Sequence, residues 1–594
     1  MQLFFDAVPG PALTFCSPAP GIKDKKRRAA GSGPRGESDV DGSEEHAMDA
    51  ASFLVKCLEN EGVQYIFGIP GEENLEIMNA LERSSIRFIT TRHEQGAAFM
   101  ADVYGRLTGK AGVCLSTLGP GATNLVTGVA DADSDGAPLI AITGQVGTGR
   151  MHLTSHQYLD LSQMFAPITK RTKQIVQADS VGEIVRIAFK YAESEKPGAC
   201  HIDLPVDVAQ QTVTPGLVPL KKQAVPDELA PEASIEAAAR LIRGAKEPVV
   251  LAGSGAVRAH AAGAITAFAE ALNIPVVHTM MAKGVIPYTS PCSMWCVGLP
   301  QRDYANLVLD RADLVICVGY DLVEYGPSKW NADPDRRILH IDTRPAHINK
   351  LYQPEMEVVG DIGQSLTRIR ARTRREAKPE YAQRLKGLMQ AEYTAYEGDG
   401  SFPVKPQKIL SDVRAALGED DILLSDVGAH KMWIARHYHC YRPNTCIISN
   451  GFAAMGIALP GALAAKLVYP ERKVLAVTGD GGFLMNCQEL ETAVRLRLAF
   501  VVLIFHDDSY GLIKWKQDDR YGRHRYVDFG DPDFVKFAES FGAKGYRITR
   551  TEELAPVLRE ALDQDVPAII DCPVDYRENE KLTRHLSDLC QTLE

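Results

Sequence analysis

Gly479-Asp480-Gly481-Gly482 stands directly behind an apolar run, Lys473-Val474-Leu475-Ala476-Val477-Thr478. One helix-and-strand length later, His506-Asp507-Asp508-Ser509 closes a second run, Phe500-Val501-Val502-Leu503-Ile504-Phe505. Two parallel strands would bring Asp480 and Asp507 to one carboxyl edge of a sheet, where open α/β sheets bind ligands. The glycines, Gly481 and Gly482 among them, let backbone N–H groups come close to a ligand. Hard oxygen donors beside such a turn suit a Mg²⁺ that grips a diphosphate: the carboxylates of Asp480 and Asp507, with the carbonyl of Ser509 as third ligand.

Working outward, the 594 residues predict about three domains, since one domain usually takes roughly 100–200. A hydrophobic content of 45% supplies several cores, and a net charge of −11 argues against a nucleic-acid or anionic-membrane surface. The 12 cysteines follow no metal-ligand spacing, which reads as a reduced, cytoplasmic setting. No apolar run reaches the length of a transmembrane helix. Residues 1–47 carry a basic run, Lys23 to Arg28, then an acidic run, Glu37 to Glu45, and read as a disordered tail. The acidic run disfavours a transit peptide; a translation start at Met48 is the alternative reading.

Three segments alternate strand-like and helix-like patterns, which predicts α/β architecture with three doubly wound parallel sheets. The first covers 48–213, with strands at Tyr65-Ile66-Phe67, Arg87 to Thr90, Gly112 to Ser116 and Leu139 to Ile142. Thr214 to Glu232, with four prolines, reads as a linker. The second covers 233–368 and contains Pro248 to Gly255 and Ala312 to Gly319, each an apolar strand entering a glycine turn. The third covers 403–575. The first and third look alike in architecture, as two related nucleotide-like halves would.

Arg92-His93-Glu94-Gln95-Gly96, between the strand at Arg87 and a helix-like stretch, resembles a block of thiamine-diphosphate (ThDP) enzymes. In that family a glutamate at this place contacts the aminopyrimidine of the cofactor, a role the resemblance gives to Glu94. It implies a pyrimidine-binding first domain, a central domain and a diphosphate-binding third domain. Gly68-Ile69-Pro70-Gly71 resembles the family's turn beside the cofactor, and Gly119-Pro120-Gly121-Ala122-Thr123-Asn124 its next glycine turn. The resemblance places Gln157, in Ser155-His156-Gln157, near the reacting carbon. It places Phe165 and Lys170 near a substrate entrance, Lys170 with a catalytic role. Met455 matches the methionine that wedges the cofactor into a bent shape. Asp426-Val427-Gly428-Ala429-His430 resembles the loop that touches the diphosphate, to which Gly428 and His430 belong, with Ser509 and Tyr510 nearby.

The resemblance extends from Met48 to Asp575, toward the catabolic, FAD-independent branch of the acetolactate synthases. The biosynthetic branch carries an arginine-bearing stretch that helps hold FAD; here Tyr320-Asp321-Leu322-Val323-Glu324-Tyr325 stands instead, which argues against FAD. Implied are decarboxylation of pyruvate, condensation with a second 2-oxo acid to give 2-acetolactate, and a dimer or tetramer with sites between subunits. One departure is Trp515-Lys516, where the two branches carry a specificity tryptophan or a glutamine at the position of Lys516. Either residue is a candidate for the acceptor pocket. The alternatives are a ThDP-dependent decarboxylase or oxidase of another 2-oxo acid, or a non-catalytic relative.

Overall fold

The computed structural model describes residues 48–223, 228–299, 301–583, 586 and 588, so the expected tail at 1–47 lies outside the described residues. Three six-stranded sheets organise them. In the first, the spatial order is Arg87–Thr90, Tyr65–Gly68, Gly112–Ser116, Leu139–Gln145, Ala199–Pro205 and Arg171–Gln174. In the third it is Cys446–Ile448, Ile422–Ser425, Val474–Gly479, Val501–His506, Ala568–Pro573 and Lys544–Arg547. Every neighbouring pair in both is parallel. Numbered in chain order, both sheets run 2-1-3-4-6-5, so the likeness of the two segments extends to their strand order. Leu139–Gln145 and Ala199–Pro205 are buried at every position, as expected of parallel strands covered by helices on both faces.

The central sheet is also parallel and holds Met356–Val359, Ile338–Asp342, Leu314–Val318, Pro248–Ala252, Val276–His278 and Ser293–Cys296. Its order, 3-2-1-4-5-6, is that of dinucleotide-binding sheets.

The first and third sheets share one apolar core. The helix Glu94–Thr108 packs on Ala458–Val468, and Phe67, Phe99 and Leu125 belong to the same buried cluster as Leu463, Ile504 and Phe534. A buried ion cluster adds to this junction. Arg106 pairs with Asp102 (2.6 Å), Asp131 (2.9 Å) and Asp135 (2.9 Å), and it donates to the carbonyl of Ile448. Asp131 in turn accepts from the Ser449 hydroxyl, and Asp135 from the amides of Asn450 and Gly451. The loop that leads to Met455 is thus tied to helices of the first sheet. Among the described residues no helix is long and apolar enough to cross a membrane, and the ten cysteines are free.

Candidate active site

Parallel strands put all their carboxyl ends on one edge, and the loops at that edge of the third sheet form the site. The strand Val474–Gly479 ends where the helix Asp480–Asn486 begins, so Asp480 sits in the first helical turn. Its Oδ1 accepts from the Gly481 amide (2.7 Å) and its Oδ2 from the Asp507 amide (2.9 Å). Asp507 follows the neighbouring strand, and its carboxylate accepts from the Ser509 hydroxyl at 2.6 Å. Burial raises the pKa of Asp480. Burial also pushes Asp507 up to about 7; the Ser509 hydrogen bond opposes this and the charge of Asp480 adds to it. Two carboxylates held at one strand edge, Asp480 buried and Asp507 half-buried, are hard oxygen donors suited to a divalent ion.

A cavity of about 170 Å³ lies beside them, lined by Gly428, His430, Met455, Asp480, Gly481, Gly482, Asp507, Ser509 and Tyr510 among others. It brings together all nine residues that the sequence assigns to the diphosphate and metal end. A side chain at Gly481 would put its Cβ 2.8 Å from the Tyr510 ring, so only glycine keeps this wall open. His430 Nε2 is buried without a hydrogen-bond partner, and burial pushes its imidazole down to about 4. A neutral ring with an unpaired nitrogen at a cavity wall fits a ligand that offers hydrogen-bonding oxygens. The cavity, the orphaned nitrogen and the two carboxylates fit a metal-bound diphosphate.

Glu94 lies at the carboxyl edge of the first sheet, at the first position of the helix Glu94–Thr108, and is 8% exposed. Its Oε2 accepts from Asn124 Nδ2 at 2.9 Å, and a Cβ at Gly121 would stand 3.2 Å from Oε1. Pro70 is exposed at the same edge. Gly119, at φ +52°, leaves room for the Gln157 backbone, and Gln157 is exposed with φ 57°. None of Pro70, Glu94 and Gln157 lines the 170 Å³ cavity. Within one chain these three residues and the cavity stand apart, at the edges of the two like sheets.

Three sequence assignments, Phe165, Lys170 and Lys516, come out differently. Phe165 is fully buried with its ring stacked on His201, 4.1 Å between centroids, so it is a core residue of the first sheet and not part of an entrance. Lys170 precedes its strand and sits at the amino edge, opposite Glu94; its ammonium donates to the carbonyls of Ser194 (2.8 Å) and Lys196 (2.6 Å). That placement gives it no catalytic contact in this chain. Trp515 lines a neighbouring, wider cavity of about 770 Å³ that shares Asp507, Gly511 and Tyr576 with the first. Lys516 is exposed and lines neither cavity.

Three residues escaped the sequence reading. Asp426 is buried and accepts from the amides of Val427 (2.7 Å), Gly456 (2.8 Å) and Ala458 (3.3 Å), holding the Met455 loop against the end of its own strand. Asp531 joins Asp480 and His506 in a cluster whose potential ligand atoms lie within 4.8 Å of one another. The hydrogen bond between His506 Nδ1 and Asp571 (2.6 Å) helps raise that imidazole to about 9, which favours its charged form beside these carboxylates. Glu489 is the third. Asp426 and Glu489 each stood inside a stretch that carries the family likeness, but neither was given a role, because the amides that Glu489 holds lie up to 397 positions away.

Comparison with known proteins agrees with this geometry. Three family models match in order: the N-terminal TPP binding domain of thiamine pyrophosphate enzymes at residues 48–164, the central domain at 235–369, and the C-terminal TPP binding domain at 426–572. The acetolactate synthase of Bacillus subtilis (strain 168) is 38% identical over 557 residues, 91% of this chain and 97% of that protein. The catabolic acetolactate synthase of Raoultella terrigena is 37% identical over 91% of this chain and 98% of its own. A probable acetolactate synthase large subunit of Methanococcus aeolicus is 36% identical over 89% and 92%. With three domain models in register and such relatives aligned nearly end to end, the chain belongs to the acetolactate synthase family of thiamine-pyrophosphate-dependent enzymes.

Proposed function

We propose that this protein condenses two molecules of pyruvate to 2-acetolactate with loss of one carbon dioxide, using thiamine diphosphate and Mg²⁺. The observation that carries the reading is the single cavity on which Gly428, His430, Met455, Asp480, Asp507 and Ser509 converge. Asp480, Asp507 and the Ser509 carbonyl would hold the metal, whose charge would in turn bind a diphosphate. Gly428, His430, Gly481 and Gly482 form the walls around that diphosphate. Glu94 hydrogen-bonds a pyrimidine ring nitrogen and holds the proton there. When bound, the cofactor supplies the electron sink that lets carbon dioxide leave a 2-oxo acid. Gln157 and Trp515 orient the 2-oxo acids, and exclusion of water at the cavity favours carbon–carbon bond formation over protonation.

The separation of Glu94 from the cavity within one chain implies a partner copy: the Glu94 edge of one subunit faces the cavity of another, so the working unit is a dimer or a dimer of dimers. We also read the protein as free of FAD and as acting in the cytoplasm. Glu324 supports the first point. It is buried, and its carboxylate accepts from the Ser254 amide (2.9 and 3.1 Å) and hydroxyl (2.8 Å) and from the Thr279 hydroxyl. It therefore fills the first glycine turn of the central sheet, where a dinucleotide phosphate would sit.

Product analysis tests the proposal. Incubation with pyruvate, thiamine diphosphate and Mg²⁺ should give 2-acetolactate and carbon dioxide in a ratio of one to one. Acetaldehyde or acetyl phosphate as the main product, or no turnover, would overturn it.

A further inference from the structure

We infer that Glu489 is a positioning residue for Glu94, acting through the backbone that leads into the helix Glu94–Thr108; the inference rests on the role proposed for Glu94. Glu489 opens the helix Glu489–Leu496 of the third sheet and is 0% exposed. Its Oε1 accepts from the amides of Arg92 (2.9 Å) and His93 (3.0 Å), and its Oε2 from the Thr492 hydroxyl (2.7 Å). Arg92 and His93 lie after the end of their strand at Thr90 and before the helix, so neither amide has a place in a ladder or in a helical turn. A buried carboxyl group from a distant part of the chain supplies the acceptor that both lack.

Two further contacts make this a built arrangement. Gly96, two residues past Glu94, faces the same carboxylate: a Cβ there would lie 2.7 Å from Glu489 Oε1 and 2.9 Å from its Cδ. Arg495, on the same helix as Glu489, donates to the carbonyl of Thr90 at 2.5 Å. One helix of the third sheet thus fixes the end of the strand, the two-residue connection and the first turn that carries Glu94. The Glu94 carboxyl itself is touched from its own sheet, by Asn124. Its direction is therefore set jointly by the first sheet and by Glu489.

The test compares Glu489→Ala, Glu489→Gln, Glu94→Gln and the double variant Glu94→Gln/Glu489→Ala. For each, kcat, KM for pyruvate, thiamine diphosphate affinity and Tm are measured. Glu489→Ala should lower kcat about 10- to 100-fold, the scale of a small misplacement of a reacting group, with KM and cofactor affinity within about threefold. Glu489→Gln keeps an acceptor oxygen for the two amides and should recover kcat to within a few-fold. In the Glu94→Gln background, adding Glu489→Ala should cost less than about threefold, because the group it positions no longer works. Wild-type kcat in Glu489→Ala, equal impairment in Glu489→Gln, or full additivity in the double variant would each overturn the inference. If Glu489→Ala fails to fold, Gly96→Ala strains the same contact and should lower kcat with KM retained; an unchanged kcat there counts against it. Failure of the underlying reading looks different: Glu94→Gln alone would then keep wild-type turnover.

Discussion

Burial pushes Asp507 up to about 7, and repulsion from the charge of Asp480 at the same cavity adds to this. A divalent cation between them would relieve that repulsion, so cofactor and metal should stabilise the protein by mass action. At 100 times Kd the gain is about 2.7 kcal/mol. Asp480→Ala and Asp507→Ala should each abolish the rise in Tm produced by thiamine diphosphate with Mg²⁺. A full shift in either variant would remove that carboxylate from the ligand set. His201 gives a second prediction. It is enclosed by Thr143 (2.8 Å), Thr172 (2.7 Å) and the Phe165 ring, and burial pushes it from 6.5 down to about 3. Because its folded pKa lies below the unfolded one, its contribution is complete above pH 6.5 and is lost as pH falls toward 3. His201→Gln should therefore lose less stability than the wild type between pH 6.5 and 4.5, by about 2–3 kcal/mol. Denaturant unfolding at several pH values checks this; parallel pH dependences would refute it.

At the scale of elements, the loop carrying Met455 is held by Asp426, whose carboxylate takes three backbone amides. Buried amides left without an acceptor cost roughly 1–3 kcal/mol each. Asp426→Ala should lower Tm and reduce cofactor-induced stabilisation, while Asp426→Asn, which keeps one acceptor oxygen, should do less harm. Calorimetry with and without thiamine diphosphate and Mg²⁺ checks both; equal behaviour of the two variants would show that the loop does not depend on this carboxylate. In the central sheet, Glu324 closes the turn at Ser254 with its carboxyl group. The purified protein should be colourless and active without added flavin. A stoichiometric yellow chromophore, or activity that requires FAD, would contradict the reading of this turn.

At the scale of the whole molecule, Glu94 and the cavity lined by Asp480 stand on different sheets, and Glu94 does not line that cavity. If each working site takes Glu94 from one chain and Asp480 from another, two inactive variants can rescue each other. Glu94→Gln and Asp480→Ala, mixed under conditions that exchange subunits, should regain up to about a quarter of wild-type activity: half of the pairs are mixed and each has one intact site. Each variant alone should remain inactive. No recovery, with subunit exchange confirmed by mass, would place both groups of a site in one chain.

The sequence by itself determined the three α/β segments and the strands entering glycine turns, and it put Asp480 and Asp507 at the ends of two neighbouring strands. These are local patterns: apolar runs of strand length, each ended by a glycine turn or a polar cluster. The same patterns carried the family likeness, which the comparisons bear out. Tertiary structure alone decided the rest. Lys170 and Glu94 both stand next to strands of one sheet, and only the direction of the chain through that sheet puts them on opposite edges. The resemblance put Phe165 near a substrate entrance, but His201, 36 positions away, stacks on its ring inside the core. Arg106 with its three aspartates, and Glu489 with the amides of Arg92 and His93, join parts of the chain by hydrogen bonds that span up to 397 positions. Periodicity within a segment cannot show such pairs, because burial and partner are fixed only when two separate sheets pack together.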